Sequence, residues 1–253
     1  MDMERITSRK NPKLAHLKKL GASREYRYAC GEFLCAGEKL LREAMQFGGG
    51  ITAVLTASGY APEGLDPSVP VYGAGEELLD YASPLKSPPE LLFSCRMRGQ
   101  TEGAIGSAVV LDGVQDPGNV GTVLRTANAM DVDAVLLLPG CADPYNPKTV
   151  RATMGAVFRQ RFFETDLDGL RALKAGGLRL LGAALGEGCR PIGETDLRGA
   201  AVAIGSEGRG LSKEVISLCD GLVRIPMSPR CESLNAAAAA AIIMWEMCGK
   251  CLR

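Results

Sequence analysis

The chain has 253 residues, 46% hydrophobic and 23% charged, which excludes wholesale disorder and allows one large domain or two modest ones. Twenty-nine Lys and Arg balance 29 Asp and Glu, so global charge points to no acidic partner, and no apolar run reaches the ~18 residues of a membrane span. Nine cysteines behind a start with no apolar leader pattern fit a reducing compartment, and a cytoplasmic location is expected.

Charge is uneven along the chain. Residues 1–30 carry eight basic side chains (Arg5, Arg9, Lys10, Lys13, Lys18, Lys19, Arg24, Arg27) against three acidic ones (Asp2, Glu4, Glu25). Such a stretch fits a nucleic-acid footprint and, equally, a solvated helix face. Within it Leu14, Leu17 and Leu20 recur at helical spacing, and Gly37 to Met45 reads as a second helix closed by Gly48-Gly49-Gly50. Ile51 to Thr56 is strand-like, and Val69 to Tyr72 reads as a short edge strand. Residues 82–106, with three prolines and little periodicity, read as a linker between a domain at 1–81 and a second at 107–253.

Beyond Ser107 short apolar runs alternate with helical stretches. The runs are 108–111, 134–138, 178–184, 201–204 and 222–225; the helical patterns are 120–130, 148–158, 167–175 and 212–219. This alternation predicts an α/β domain with a mostly parallel sheet and helices on both faces. A long alanine-rich helix begins near Leu234. The only C-x-x-C, Cys248 with Cys251, has no second pair, and the one histidine, His16, is distant, so no metal is expected.

In parallel sheets ligands bind beyond the carboxyl ends of strands. Three segments follow strands directly and are rich in glycine or polar groups: Leu111 to Arg125, Ile204 to Leu211 and Ile225 to Asn235. In the first, Pro117-Gly118 makes a turn, Asn119 reads as a helix N-cap, and Arg125 lies less than two turns further on. In the second, glycines admit close backbone approach beside the Glu207 carboxylate. The third puts Ser233 and Asn235 at the mouth of the last helix, where N–H groups are free. Each of these residues is also an ordinary helix cap or dipole partner. Gly205-x-x-Gly208-x-Gly210 is not the dinucleotide fingerprint, and no phosphate-loop motif occurs.

Together the three segments resemble the signature motifs of the SpoU (TrmH-type) RNA 2′-O-ribose methyltransferases of the SPOUT superfamily. Asp116-Pro117-Gly118-Asn119-Val120-Gly121 with Arg125 resembles the first motif, Gly205 to Leu211 the second, and Ile225-Pro226-Met227 through Ser233-Leu234-Asn235 the third. Asn146 to Arg159 is similar to the family's middle segment, and Ile6 to Pro12 with Gly31 to Leu34 and Gly37 to Leu40 is similar to its substrate-binding domain. Ala36 stands where that domain would carry glutamate.

The resemblance implies a deep trefoil knot in the C-terminal sheet, a smaller α/β ribosomal-protein-L30e-like RNA-binding domain before it, and a homodimer formed through the knot region. It implies S-adenosylmethionine as methyl donor, held at Gly205, Ile225 and Leu234 with the strand end 181–185 adjacent, and no metal. It assigns hydroxyl activation to Arg125, with Asn119, Glu207, Ser233 and Asn235 completing the catalytic set. Because a guanidinium stays protonated, the physical role expected of Arg125 is to hold an RNA phosphate and stabilise developing charge, oriented by Asn119 and Asn235. Arg9, Lys10, Lys13 and Lys18 are expected on RNA, with ribosomal RNA favoured over tRNA. The rival readings are a non-catalytic RNA-binding or ribosome-assembly protein on the same scaffold and a base-nitrogen RNA methyltransferase.

Overall fold

The computed structural model describes residues 4–57, 62–85, 90–98, 103–186 and 188–249. The chain divides into two compact units, Met1–Gly99 with Asp143–Arg159, and Gln100–Ala142 with Gln160–Arg253.

The first unit opens with β1 (Glu4–Ile6), α1 (Pro12–Ala22), α2 (Arg24–Cys30), β2 (Glu32–Ala36) and α3 (Glu38–Gln46). It continues with β3 (Ile51–Ala57), β4 (Val71–Ala74), α4 (Glu76–Ala82) and β5 (Leu91–Arg96). Asn11 caps α1 through its side chain, with Pro12 in the first turn, and Leu14, Leu17 and Leu20 are its buried face. They pack with Leu55, Leu78, Leu79 and Leu92 over a mixed sheet of order β1-β4-β3-β5-β2.

This sheet corrects two expectations. β4 pairs with β1 on one side and β3 on the other, so it is an interior strand and not an edge. The stretch expected as linker carries β5, a strand buried between β2 and β3. Its Leu91-Leu92-Phe93-Ser94-Cys95 is buried at every position and so has no alternation to betray it. Residues 86–89 and 99–102 of that stretch lie outside the described residues.

A third difference concerns the middle segment. α6 (Pro147–Ala152) and the 3₁₀ turn Ala156–Phe158 pack within the first unit, although they lie between strands of the second. Arg27, one of the eight cations of the basic stretch, is buried and donates through Nη2 and Nε to Asp143 Oδ2 at 2.5 and 3.1 Å. Phe33, Tyr145 and Phe158 stack beside this pair.

The second unit contains β6 (Ala108–Asp112), α5 (Pro117–Ala129), β7 (Ala134–Leu137), β8 (Phe162–Glu164), α7 (Leu167–Ala175) and β9 (Arg179–Ala183). After β10 (Arg190–Pro191) come β11 (Ala200–Gly205), α8 (Lys213–Leu218), β12 (Gly221–Arg224) and α9 (Ala236–Met244). All six pairings are parallel, in the order β10-β12-β9-β11-β6-β7-β8. Val109, Leu111, Val202 and Ile204 face one core with α5 and α9; Ala108, Val110, Ala201 and Ala203 face another with α7 and α8. Burial on both faces explains the uninterrupted apolar runs.

Candidate active site

The parallel register brings the three segments that follow strands to one edge. Asp112 at the end of β6 pairs with Gly205 at the end of β11, and Val223 of β12 with Ala183 of β9. The chain leaving each strand therefore emerges on the same side of the sheet. Asp112 fixes the join by accepting the Ser212 N–H at 2.7 Å.

Beyond β11 the loop doubles back: Ser206 and Gly210 form an isolated bridge, with Gly210 N–H donating to Ser206 O at 2.9 Å and Gly210 at φ +66°. A Cβ on Gly205 would stand 2.0 Å from the Gly210 carbonyl carbon, so only glycine fits without moving backbone. Gly205→Ala is expected to cost about 1–3 kcal/mol by overpacking. Because the displaced backbone walls the cavity at the strand ends, affinity for the S-adenosylmethionine that the motif resemblance implies should fall by about tenfold or more in a titration. Unchanged affinity would mean that this loop is not the wall.

That cavity has a volume of about 410 Å³. Gly205, Ile225 and Leu234 all line it, as do Glu207 and Ser233, and Ala183 to Leu185 supply the side expected from the 181–185 strand end. Arg209, Leu211 and Met227, which lie inside the second and third motifs but carry no assigned role in the sequence reading, also line it. The volume lies in the range of small-molecule sites, and the lining is mostly apolar side chains and strand-end backbone with the Glu207 carboxylate and Arg209 guanidinium among them.

At the helix mouths the polar groups form one chain of hydrogen bonds. Asn235 caps α9 by accepting the N–H groups of Ala237 and Ala238 at 3.0 and 3.2 Å. Its Nδ2 donates to Asn119 Oδ1 at 3.1 Å, and Asn119 Nδ2 donates to Glu207 Oε1. The positive end of α9 thus polarises two amides in series toward a carboxylate, and each bond strengthens the next. The first and third segments meet within one chain.

Two sequence expectations change. The N-cap of α5 is Asp116, whose Oδ1 accepts the Asn119 N–H at 2.8 Å, with Pro117 at the first helical position. Asp before Pro is the local signal for that cap, and it frees the Asn119 side chain for Glu207. Arg125 is exposed and does not join the Asn235–Asn119–Glu207 chain. At 3.6 residues per turn, six residues leave it about 120° around α5 from Asn119. Ser233 is exposed, and its carbonyl accepts from Cys231 Sγ at 3.0 Å.

Thiol chemistry is poorly served nearby. Burial pushes the Cys219 thiol up to about 11, against a partial opposing pull from Lys174, and burial likewise raises that of Cys141. Neither supplies a thiolate at neutral pH. Among the described residues no group of three or more His, Cys, Asp or Glu is placed to hold a metal; Cys251 of the terminal pair lies outside them.

Known proteins resemble this chain along nearly its whole length. The 23S rRNA (guanosine(2553)-2′-O)-methyltransferase RlmP of Bacillus subtilis is 32% identical over 249 residues, covering 98% of this chain and 100% of that protein. A TrmH-family protein of Porphyromonas gingivalis superposes with a TM-score of 0.86 at 30% identity, covering 97% and 99% of the two chains. The SpoU methyltransferase AviRb of Streptomyces viridochromogenes, solved with AdoMet, superposes at 0.82 with 26% identity over 94% and 97%. A family model described as the SpoU rRNA Methylase family matches residues 106–245. This chain belongs to the SpoU rRNA methylase family.

Proposed function

We propose that the protein transfers a methyl group from S-adenosylmethionine to a ribose 2′-hydroxyl of ribosomal RNA. The observation that carries this reading is the cavity at the strand ends, flanked by the Asn235–Asn119–Glu207 chain. Gly205, Ile225 and Leu234 would hold the donor through backbone and apolar contact, and the donor supplies a methyl group already activated by a positive sulfur. The chain's own task is to align the hydroxyl and stabilise charge as its proton leaves.

Glu207 and the two asparagines hold one another by hydrogen bonds, which lowers the reorganisation needed in the reacting step. Arg125, on the far side of α5 from Asn119, acts as a permanently charged phosphate anchor at a site completed across a homodimer. Supporting the dimer, Ile242 (38% exposed) and Trp245 (52%) leave an apolar strip along α9 and its last turn. Trp245→Arg is expected to give a monomer by sedimentation with loss of methyl transfer; a dimer of unchanged activity would place the interface elsewhere.

We also infer the family's knot. After β12, which lies beyond β9 from β11, the chain returns to pack α9 against β11 and α5, the crossing such threading needs. The first unit is read as the RNA-binding part, and the working place as the cytoplasm, where ribosomal RNA is modified. No described helix is long and apolar enough to cross a membrane.

The test is incorporation of labelled methyl from S-adenosylmethionine into unmodified 23S ribosomal RNA and, separately, tRNA. Label in ribosomal RNA alone is expected. Label in tRNA alone would move the substrate, and label in neither, with donor bound, would favour the non-catalytic scaffold.

A further inference from the structure

The cations of the first thirty residues are sorted by what each already touches. Arg27 is spent on Asp143. Lys13 Nζ lies 2.5 Å from Glu4 Oε2 and 4.1 Å from the Tyr72 ring centroid, and the Glu4 hydrogen bond is the main reason its ammonium holds its proton more tightly than usual. Its charge is compensated within the protein.

Arg9 and Lys18 differ. Both stand over one ring, Tyr81, at 4.8 and 3.3 Å from its centroid. Whichever faces they use, the two charges lie within about 8 Å, roughly one Debye length at physiological salt. The electron-rich ring attracts each cation, but the pair repel one another, and among the described residues neither forms an ion pair. The geometry is held from below: Leu14, Leu17 and Leu20 fix α1, and Tyr81 packs on the same core from α4. Two cations gathered on one ring, with no ion pair among the described residues, make a local concentration of positive charge suited to an anion. A phosphate is the anion that two charge-assisted donors hold best.

We propose that Arg9, Lys18 and Tyr81 form a preorganised docking point for one phosphate of the RNA backbone, and that Lys13 is not part of it. Tyr81 is a positioning residue, and the assignment rests on the RNA-methylating reading above. It separates four side chains that composition alone treats alike. Lys10, beside Arg9 and exposed, has no side-chain partner among the described residues and remains a general attraction.

The experiment measures binding of the full-length protein to an unmodified 23S ribosomal RNA transcript as a function of sodium chloride, without S-adenosylmethionine. One lost phosphate contact lowers the slope of log affinity against log salt by about 0.7–0.9. Arg9→Gln, Lys18→Gln and the double variant are each expected to lose about one such contact, since both cations serve the same phosphate. Lys13→Gln should leave the slope unchanged, Tyr81→Leu should reproduce the loss, and Tyr81→Phe should restore it. Thermal midpoints of the Arg9, Lys13 and Lys18 variants should match the wild type, because these side chains lie outside the core; Tyr81 packs on it, so the Tyr81→Leu slope is read well below that variant's own midpoint and against Tyr81→Phe.

A Lys13→Gln loss equal to that of Lys18→Gln would overturn the proposal. So would a double variant that loses twice as much, or no change in any slope. Sodium phosphate at matched ionic strength should lower the affinity of the wild type more than that of the double variant, because inorganic phosphate competes for the point that the RNA phosphate uses. An equal drop in both would contradict the proposal. Because no donor is present, these outcomes are independent of whether methyl is transferred.

Discussion

Arg125→Ala is expected to lower methyl transfer by about 100- to 1,000-fold, the usual consequence of removing one positioned charge from a transition state. Affinity for S-adenosylmethionine should stay within about twofold, since Arg125 does not line the cavity that Gly205, Ile225 and Leu234 enclose. Its place about 120° around α5 from Asn119 gives the variant a second use. If Arg125 serves the opposite subunit, mixing Arg125→Ala with a variant whose cavity is blocked, such as Leu234→Asp, should restore activity. In a randomly mixed symmetric dimer that recovery is about a quarter of wild type. No recovery in verified heterodimers would place Arg125 on its own subunit's site, and lost donor binding in Arg125→Ala would place it in the donor cavity.

Asp143→Ala is expected to cost about 3–5 kcal/mol of stability, because it strands the Arg27 guanidinium in the core. The side chains are 3% and 7% exposed, and Arg27 Nη1 also donates to Leu20 O at 2.7 Å, so the cation has no route to water. Asp143 is equally committed: its Oδ1 accepts the Tyr145 N–H at 2.9 Å. Replacing both partners with apolar groups, Arg27→Met with Asp143→Leu, should recover most of the loss, since a well-packed apolar pair often matches a buried ion pair. Urea unfolding of the single and double variants measures this. An Asp143→Ala loss below about 1 kcal/mol would mean the pair is solvated in the working protein.

These two residues also mark where sequence reading stops. Arg27 sits among seven other cations and reads as one more solvated charge; its partner is 116 residues away, and no local pattern links them. The same separation hides α6, which lies between two strands of the second unit yet packs within the first. β5 is invisible for a different reason, since a strand buried on both faces and broken by Ser94 and Cys95 shows neither alternation nor a clean apolar run. β8 and β10, three and two residues long, are too short for any periodicity to register.

The site is far more legible, because its devices are local. Glycine at a close approach and Asn at the mouth of an alanine-rich helix each follow from a few neighbouring residues. Gly205, Ile225, Leu234, Glu207 and Ser233 do converge on one cavity, and Asn119 and Asn235 on Glu207. What local spacing misses is direction. It makes Asn119 a cap when Asp116 is the cap, and Arg125 a partner of Asn119 when helix rotation turns it away. Among the cations of the first unit, the compensating Glu4 and the shared Tyr81 ring are tertiary facts, seen only once β1, α1 and α4 are packed.

Alkaline hydrolysis of the labelled 23S ribosomal RNA tests most directly whether the accepting atom is a ribose oxygen. A 2′-O-methyl group removes the hydroxyl that cuts the neighbouring linkage, so label in alkali-resistant dinucleotides is the expected result. Label released entirely in mononucleotides would place the methyl on a base and contradict the assignment.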